Sequence, residues 1–190
     1  LPAAASHKDY TTQLLRACKE NGIGLIIPTI DTELRVLAEN RDSFEDAGVI
    51  IVVSDINLIA DCRDKRRTND VFIEHGIRVP ESIDRNNPTF PLFIKPFDGS
   101  LSKDILVVQN PSELTDAIVN NKRFMFMEYL DISEYQEFTV DSYFDKNGKL
   151  KCLVPRRRIE VRGGEVSKGR TEKQGLYEKL IHHFDQLKGA

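Results

Sequence analysis

Apolar and polar residues alternate in blocks along the first third of the chain, and each block has the spacing of a helix or a strand. Residues 10–21 repeat apolar side chains at the three- and four-residue spacing of a helix, and residues 32–44 do so again. Residues 24–28 and 49–53 are short continuous apolar runs, which are typical of buried strands in a parallel sheet. This alternation predicts an α/β layer. Because a doubly wound sheet normally opens on a strand, we expect the natural protein to have residues before Leu1.

Beyond residue 63 the pattern changes to single helices and strands joined by turns. The predicted helices cover residues 64–75, a segment that begins at Ser112, and residues 177–187. The predicted strands flank a loop at residues 97–103 and then cover residues 124–130, 137–144 and 150–160. Asn147-Gly148 is a strong hairpin signal, because both residue types adopt the positive φ angles of a tight turn. The second part of the chain is therefore predicted to be α+β, with a seam at residues 56–63.

The composition is that of an ordinary globular protein of 190 residues, of which 40% are hydrophobic and 30% charged. This length allows one large domain or two small ones. A net charge of −3 argues against bulk nucleic-acid binding, which needs a basic surface. No apolar run approaches the roughly 20 residues that cross a bilayer, and the start of the chain lacks the features of a signal peptide. Cys18, Cys62 and Cys152 form no metal or redox spacing, which favours a reduced, cytoplasmic compartment.

Residues 91–108, with the sequence PLFIKPFDGSLSKDILVV, contain the clearest chemical signal. A short apolar run ends at Lys95-Pro96, a polar Gly-Ser turn follows, and a second apolar run resumes. Two strands joined by such a loop place a cationic side chain beside free backbone N–H groups, which suits a polyphosphate. By itself, a lysine at the end of a strand is usually a solvated surface residue. The residues on either side decide between the two interpretations.

Four features follow one another in order around this loop. Lys65 opens a predicted helix, Lys95 ends a strand, Glu128-Tyr129-Leu130 closes another strand, and Glu137 begins the next. This order resembles the ATP-grasp superfamily, and in detail its carbamoyl-phosphate-synthase large-chain-like branch, including stand-alone short members. The resemblance extends over almost the whole chain. Each motif alone is weak, but the ordered set is fairly specific.

The resemblance implies three parts and a fold class of α/β plus α+β. Residues 1–62 resemble a partial, Rossmann-like pre-ATP-grasp domain and contain LIIPTIDTELRVLAENRDSFEDAGV. Residues 63–126 resemble the lid subdomain, which is entered through DKRRTNDVFIEHGIRVPES. Residues 127–190 resemble an incomplete C-terminal ATP-grasp subdomain, with MEYLDISEYQEFTVDSYFDKNGKL as its nucleotide hinge and ribose strand.

The resemblance also implies a phosphate site. Lys65 and Lys95 would contact the phosphates of ATP. Gly99, Ser100 and Ser102 would form a mobile flap that donates hydrogen bonds to the β- and γ-phosphates. Closing such a flap excludes water, which would destroy an acyl phosphate. The alternative is two solvated lysines and a simple hairpin turn, since Gly-Ser is generic turn chemistry. The family loop often has more glycine than this one, which places its geometry in question.

The rest of the implied nucleotide site lies on two strands. Glu128 would accept a hydrogen bond from the adenine amino group or lie beside it. Tyr129 and Leu130 would offer backbone C=O and N–H groups to the adenine edge. Glu137 would bind the ribose hydroxyls, for which a carboxylate is a natural acceptor. The alternative is that both glutamates are ordinary solvated residues.

A basic cluster on a later strand is the candidate for substrate binding or catalysis. Strand alternation places Arg156 and Arg158 on one face and Arg157 on the other. Facing the cleft, Arg156 and Arg158 would hold an anionic substrate or the γ-phosphate, because guanidinium groups match carboxylate and phosphate geometry. Lys168 and Arg170 would join them. The alternative is a solvated basic edge that discourages strand pairing.

Magnesium is expected in the parent protein, but its ligands are not evident in the sequence. The family ligands are an acidic residue followed, one strand later, by Glu-x-Asn, and nothing after Glu160 has this pattern. Asp141, Glu160 and Glu165 are poor replacements by position. We therefore expect weak binding of adenine nucleotide without turnover, and further residues after Ala190 in the natural protein.

The favoured hypothesis is the ATP-binding portion of a ligase that activates a carboxylate as an acyl phosphate for an amine or a similar nucleophile. Its partners would be ATP and a small, anionic carboxylate, and neither nucleic acid nor a membrane. The alternative is a non-catalytic, nucleotide-binding regulatory module. A third hypothesis is an interaction domain in which Lys95 and Glu137 are surface residues.

Overall fold

The computed structural model describes residues 5–99, 102–163, 165–172, 175–187 and 189–190. The chain divides into two units, one formed by residues 1–62 with the last residues of the chain and the other by residues 63–187. No helix in the described ranges is long and apolar enough to cross a bilayer.

Helices and short strands alternate in the first unit. The elements are α1 (Tyr10–Asn21), β1 (Leu25–Ile26), α2 (Asp31–Glu39), α3 (Arg41–Glu45), β2 (Ile50–Ile51) and α4 (Ile56–Arg63). β1 and β2 pair in parallel, as the pattern predicts. Apolar side chains from the helices and from residues 49–51 form one core, which contains Tyr10, Cys18, Leu37, Phe44, Val49 and Ile51.

Two expectations for the first unit are wrong. Both strands were expected to be fully buried, but Leu25 and Ile50, which pair across the ladder, are 49% and 60% exposed, whereas Ile51 is buried. Successive strand residues point to opposite faces, and the described helices cover only one of them. The helix expected over residues 32–44 is interrupted at Asn40, whose φ of −114° and ψ of 14° are not helical. α4 occupies the segment of the predicted seam, residues 56–63.

The second unit begins with a helix and a three-stranded antiparallel sheet. Its elements are α5 (Lys65–Glu74), β3 (Leu92–Pro96), β4 (Leu106–Val108), a 3₁₀ turn (Pro111–Glu113), α6 (Asp116–Asn120) and β5 (Phe124–Glu128). The strand order is β4-β3-β5. Leu92, Ile94, Val108 and Phe126 form the core on one face of this sheet. The domain boundary predicted between residues 126 and 127 lies inside β5.

The second sheet of this unit contains β6 (Phe138–Phe144), β7 (Leu150–Arg162) and β8 (Glu165–Thr171), in the order β6-β7-β8 with antiparallel pairing. The last helix is α7 (Leu176–Phe184), on which His183 Nδ1 lies 2.7 Å from the carbonyl oxygen of His75. The sequence pattern did not predict β8. The helix expected from Ser112 is the 3₁₀ turn followed by α6, because Asn110 and Thr115 each accept a hydrogen bond from a following backbone N–H group.

The hairpin between β6 and β7 turns where Asn147-Gly148 predicts it. Gly148 has a φ of 70°, but Asn147 is not among the residues with positive φ, so only one of the two adopts the left-handed conformation. Asp145 accepts hydrogen bonds from the backbone N–H groups of Asn147 and Lys149, at 2.9 and 3.1 Å. The turn is therefore held by an aspartate that the sequence analysis did not single out.

Candidate functional site

Lys95 lies on the face of the first sheet that is opposite the core. Along β3, Leu92 and Ile94 are fully buried in the core, so strand alternation places Phe93 and Lys95 on the other face. Lys95 pairs in register with Met125 on β5, and its Nζ atom lies 5.8 Å from the centre of the Phe93 ring. The ammonium group is therefore flanked by apolar side chains on a face that the core does not use.

The electrostatic environment of Lys95 disfavours its charge. Burial lowers the pKa of Lys95 below its ordinary value, and the positive charge of Lys65 lowers it further. Within the ranges that the structure describes, no carboxylate forms a salt bridge with Lys95 Nζ. A bound anion would stabilise the charged form of this half-buried lysine, because it would replace the lost hydration and supply the missing counter-charge.

Lys65, the first residue of α5, lies close enough to Lys95 for its charge to act on it. Its backbone N–H donates to the carbonyl oxygen of Phe97 at 2.8 Å, and its Nζ donates to the carbonyl oxygen of Gly99. Asp64 caps α5 by accepting a hydrogen bond from the backbone N–H of Arg66 at 2.9 Å. The N-terminus of α5 is thus fastened to the segment after β3, and its partial positive charge adds to those of the two lysines.

The loop between β3 and β4 has backbone conformations that suit glycine. Ser102 and Asp104 have φ angles of 54° and 58°, in the left-handed region that side chains other than Gly, Asn and Asp rarely adopt. A Cβ atom on Gly99 would lie 3.2 Å from Pro96 Cγ, so this position is crowded. Ser100, the third residue of the predicted flap, lies outside the described residues.

Glu128, Tyr129 and Leu130 are at the carboxyl end of β5. Glu128 Oε1 accepts a hydrogen bond from the backbone N–H of Glu81 at 2.9 Å, and the N–H of Glu128 donates to the Glu81 carbonyl oxygen at 2.9 Å. In the described part of the chain, the backbone N–H and C=O groups of Tyr129 and Leu130 form no hydrogen bond. Their C=O and N–H groups are therefore free to meet the edge of a planar ligand, while Glu128 is fixed by the neighbouring segment.

Glu137 comes directly before β6 and lies opposite Arg158 of β7. The Arg158 N–H donates to the Glu137 carbonyl oxygen at 2.8 Å, and the Arg158 Nε atom lies 3.4 Å from Glu137 Oε1. Arg156 forms the neighbouring pair with Asp141, at 3.0 Å from Nε to Oδ2. Arg156 and Arg158 do share a face, as strand alternation predicts, but each already faces a carboxylate.

The other basic residues of this sheet are also paired. Lys168 Nζ lies 2.7 Å from Glu160, and Arg170 pairs with Glu172, to which Arg157 is also close. In the β7–β8 ladder Arg170 lies opposite Arg157, so it does not share the face of Arg156 and Arg158. The cluster is a network of ion pairs. Because each basic side chain has an acidic neighbour, the cluster attracts an anion less strongly than the same number of unpaired basic side chains would.

The described residues do not fit a magnesium site. They include no group of three or more Asp, Glu, His or Cys side chains that could hold a metal ion. Asp141 is paired with Arg156, and Glu160 with both Arg162 and Lys168. Octahedral Mg²⁺ needs carboxylate oxygens that are free to coordinate, so these two carboxylates are unsuitable.

Sequence reasoning missed three contacts that shape the site. Arg66 stacks its guanidinium group 3.7 Å above the centre of the Phe97 ring, and Arg123 pairs with Asp98 at 2.8 Å. Glu81 holds Glu128, as described above. A fourth contact, between Glu137 and Arg158, could have been found from the sequence by counting outward from the hairpin turn. The others join segments far apart in the chain, for which the sequence has no local signal.

Known proteins with similar sequences or structures place this geometry in context. A family model described as the PylC-like N-terminal domain matches residues 2–52. No curated protein matches the chain significantly. The N5-carboxyaminoimidazole synthetase of Staphylococcus aureus has a similar structure, with a TM-score of 0.66 and 15% identity over 100% of this chain and 51% of its own.

Two further solved structures are similar. The L-amino acid ligase of Bacillus licheniformis has a TM-score of 0.64 and 13% identity, covering 96% of this chain and 47% of its own. The second is the biotin carboxylase domain of Hydrogenobacter thermophilus 2-oxoglutarate carboxylase, in complex with MgADP, ADP and bicarbonate. It has a TM-score of 0.61 and 18% identity, and the match covers 91% of this chain and 44% of that structure. The chain thus spans about half the length of these neighbours.

At such low identity the likeness shows the fold alone. It confirms the coarse expectation of a mixed α/β fold, which the chain shares with these enzymes. The family match and the structural neighbours together support ATP-grasp-type relatives. They do not single out the carbamoyl-phosphate-synthase-like branch, which stays a prediction.

Proposed function

We propose that this chain binds ATP as the nucleotide-binding portion of an ATP-dependent ligase. The observation that supports the proposal most strongly is Lys95, a half-buried ammonium group beside Lys65 and the N-terminus of α5, without a carboxylate partner in the described ranges. This concentration of positive charge suits a polyphosphate, which would supply the counter-charge that the site lacks.

The proposed roles follow the positions of the side chains. Lys95 and Lys65 bind the phosphates, and the loop with Gly99, Ser100 and Ser102 closes over them. The backbone groups of Tyr129 and Leu130 contact the adenine edge beside Glu128, whose carboxylate the Glu81 N–H holds in place. Glu137 accepts hydrogen bonds from the ribose hydroxyls.

The chemistry that we propose for the parent protein is carboxylate activation. A carboxylate oxygen attacks the γ-phosphorus of ATP, ADP leaves, and an amine or similar nucleophile then displaces phosphate from the acyl phosphate. The two lysines favour this step by stabilising negative charge on the phosphates, and a closed loop protects the acyl phosphate from water. We place this activity in the cytoplasm, as the cysteine usage predicts.

The neighbours support this reaction class in general. One is an L-amino acid ligase, and another is a biotin carboxylase domain in complex with MgADP and bicarbonate. We further propose that the parent belongs to the carbamoyl-phosphate-synthase-like branch and takes a small, anionic carboxylate. For this carboxylate we propose Arg156 as the anion ligand, although it pairs with Asp141, since the guanidinium group of Arg158 already faces Glu137.

A thermal-shift experiment tests nucleotide binding and turnover separately. ATP and ADP at ten times their Kd should each raise the Tm by about 3–5 °C, because binding to the folded state alone adds about 1.4 kcal/mol. Inorganic phosphate at the same concentration serves as the control and should have little effect. With Mg²⁺ and ATP, we expect no phosphate release above background, since the described carboxylates do not form a metal site.

The possible outcomes distinguish the hypotheses. Equal responses to ATP and inorganic phosphate would refute a nucleotide site and favour an interaction domain. Robust phosphate release by this chain would contradict the expected lack of turnover. Nucleotide binding by the natural full-length protein, without turnover on any carboxylate, would favour the regulatory module over the ligase.

A further inference from the structure

The carboxylate of Glu137 is exposed, although its proposed role requires a defined position. Its side chain is 58% exposed, and it comes just before the first residue of β6. A free glutamate side chain samples many rotamers, and ordering it on binding costs conformational entropy. A neighbour that restricts Glu137 before the nucleotide arrives would reduce this cost.

Arg158 is placed to do this. Its backbone N–H donates to the Glu137 carbonyl oxygen at 2.8 Å, and its guanidinium group forms an ion pair with the carboxylate, in which Nε lies 3.4 Å from Oε1 without a hydrogen bond between them. The Arg158 side chain is only 20% exposed, so it is held more firmly than the glutamate that it contacts. Its backbone lies in β7, between β6 and β8, next to a register shift of the β7–β8 ladder between Arg158 and Glu160.

We propose that Arg158 is the positioning residue for Glu137 and that it thereby sets the preference of the site for ribonucleotides. This inference rests on the proposed function, because it assumes that Glu137 binds the ribose. A carboxylate has about four acceptor positions, so one contact with a guanidinium group leaves acceptors for both ribose hydroxyls. Arg158 therefore orients the carboxylate through charge attraction and leaves its acceptor positions to the ribose hydroxyls.

The effect of Arg158 should be visible in ligand selectivity rather than in stability. Because the Glu137 carboxylate is mostly exposed, its ion pair with Arg158 contributes little to the free energy of unfolding. By contrast, a hydrogen bond from a ribose hydroxyl to an ionised carboxylate changes affinity by about tenfold. ATP and 2′,3′-dideoxy-ATP differ only in these hydroxyls, so the ratio of their Kd values measures how well Glu137 is positioned.

Calorimetric titration of both nucleotides into the 190-residue protein provides the test. The unsubstituted protein should bind ATP about tenfold more tightly than dideoxy-ATP. Arg158→Gln should weaken ATP binding by about three- to tenfold and leave dideoxy-ATP binding unchanged, so that the ratio falls toward one. Arg158→Lys should recover part of the ratio. Arg162→Gln, which removes a paired arginine from the same strand, should leave the ratio as it is.

Other results would overturn the inference. An unchanged ratio in Arg158→Gln, or equal weakening of both nucleotides, would show that Arg158 does not act through the ribose contact. If Arg158→Gln does not fold, the ratio in Arg158→Lys decides by the same criterion, and an unaltered ratio there refutes the role. Binding of neither nucleotide by the unsubstituted protein would refute the proposed function itself, and this inference with it.

Discussion

Lys95 carries a charge that its surroundings in the fold disfavour and that we propose binds phosphate. Its charge is partly removed from water and lies near that of Lys65, and both effects disfavour the ammonium form. A protein that needed only a stable sheet would be better served by an apolar residue at this position, since Phe93 and Met125 are its neighbours. A bound anion would offset the free-energy cost of keeping the ammonium group here, which explains why a lysine occupies the position.

This cost predicts a pH dependence of stability. Because the pKa of Lys95 is lower in the folded protein than in the unfolded chain, the unfolded chain binds more protons between the two values. Stability should therefore rise with pH from the lowered pKa toward the ordinary 10.5. Lys95→Met should remove this gain and leave the protein at neutral pH as stable as the original or slightly more so.

Urea unfolding between pH 7 and pH 10.5 measures how the free energy of unfolding changes with pH in the original protein and in Lys95→Met. Lys122→Met is the control for other lysines and tyrosines that titrate in this range. Equal gains in stability by the Lys95→Met and Lys122→Met variants as the pH rises would show that the fold does not disfavour the ammonium form of Lys95.

At the scale of the elements, the β6–β7 hairpin determines which residues meet. Its turn sets the register in which Phe138 lies opposite Arg157, and this register brings Glu137 to Arg158. Asp145 organises the turn through the backbone N–H groups of Asn147 and Lys149.

The same aspartate should make the hairpin sensitive to acid. The hydrogen bond from Lys151, followed by those from the backbone of the turn, lowers the pKa of Asp145 from 3.8 to about 2. Its stabilising contribution is complete above the unfolded pKa and is lost as the pH falls from about 4 to about 2. Asp145→Asn should therefore flatten the decrease of Tm with pH in this range.

Thermal unfolding followed by circular dichroism from pH 2 to pH 6 provides the measurement, with Glu134→Gln as an exposed control that removes the same charge. Parallel Tm curves for Asp145→Asn and the unsubstituted protein across this range would show that the turn does not depend on the ionised aspartate.

How far the elements could be predicted depends on the source of their stability. α5 and the strands β3 to β7 were predictable, because apolar runs and turn residues mark them locally. β8 was not, because most of its side chains are polar and its strand conformation depends on hydrogen bonds to β7. The exposure of Leu25 and Ile50 was equally inaccessible, since an apolar run does not indicate what covers each face of a sheet.

At the scale of the whole molecule, the candidate site lies within the second unit and draws on several of its elements. The sequence identified Lys65 and Lys95 as candidates through an ordered set of motifs. Their proximity depends on the backbone hydrogen bond from Lys65 to Phe97, which joins the start of α5 to the end of β3. No local pattern encodes such a contact, so the sequence could nominate candidate residues but not their geometry.

The most direct test of the account is isothermal titration of ATP into this protein and its Lys95→Met variant, with Lys122→Met as the matched control. We predict one saturable site in the original and in Lys122→Met, and binding at least about tenfold weaker in Lys95→Met, as expected for the loss of a charge-assisted hydrogen bond. Equal affinity in all three proteins, or no binding in any of them, would contradict the claim that Lys95 is part of an ATP site.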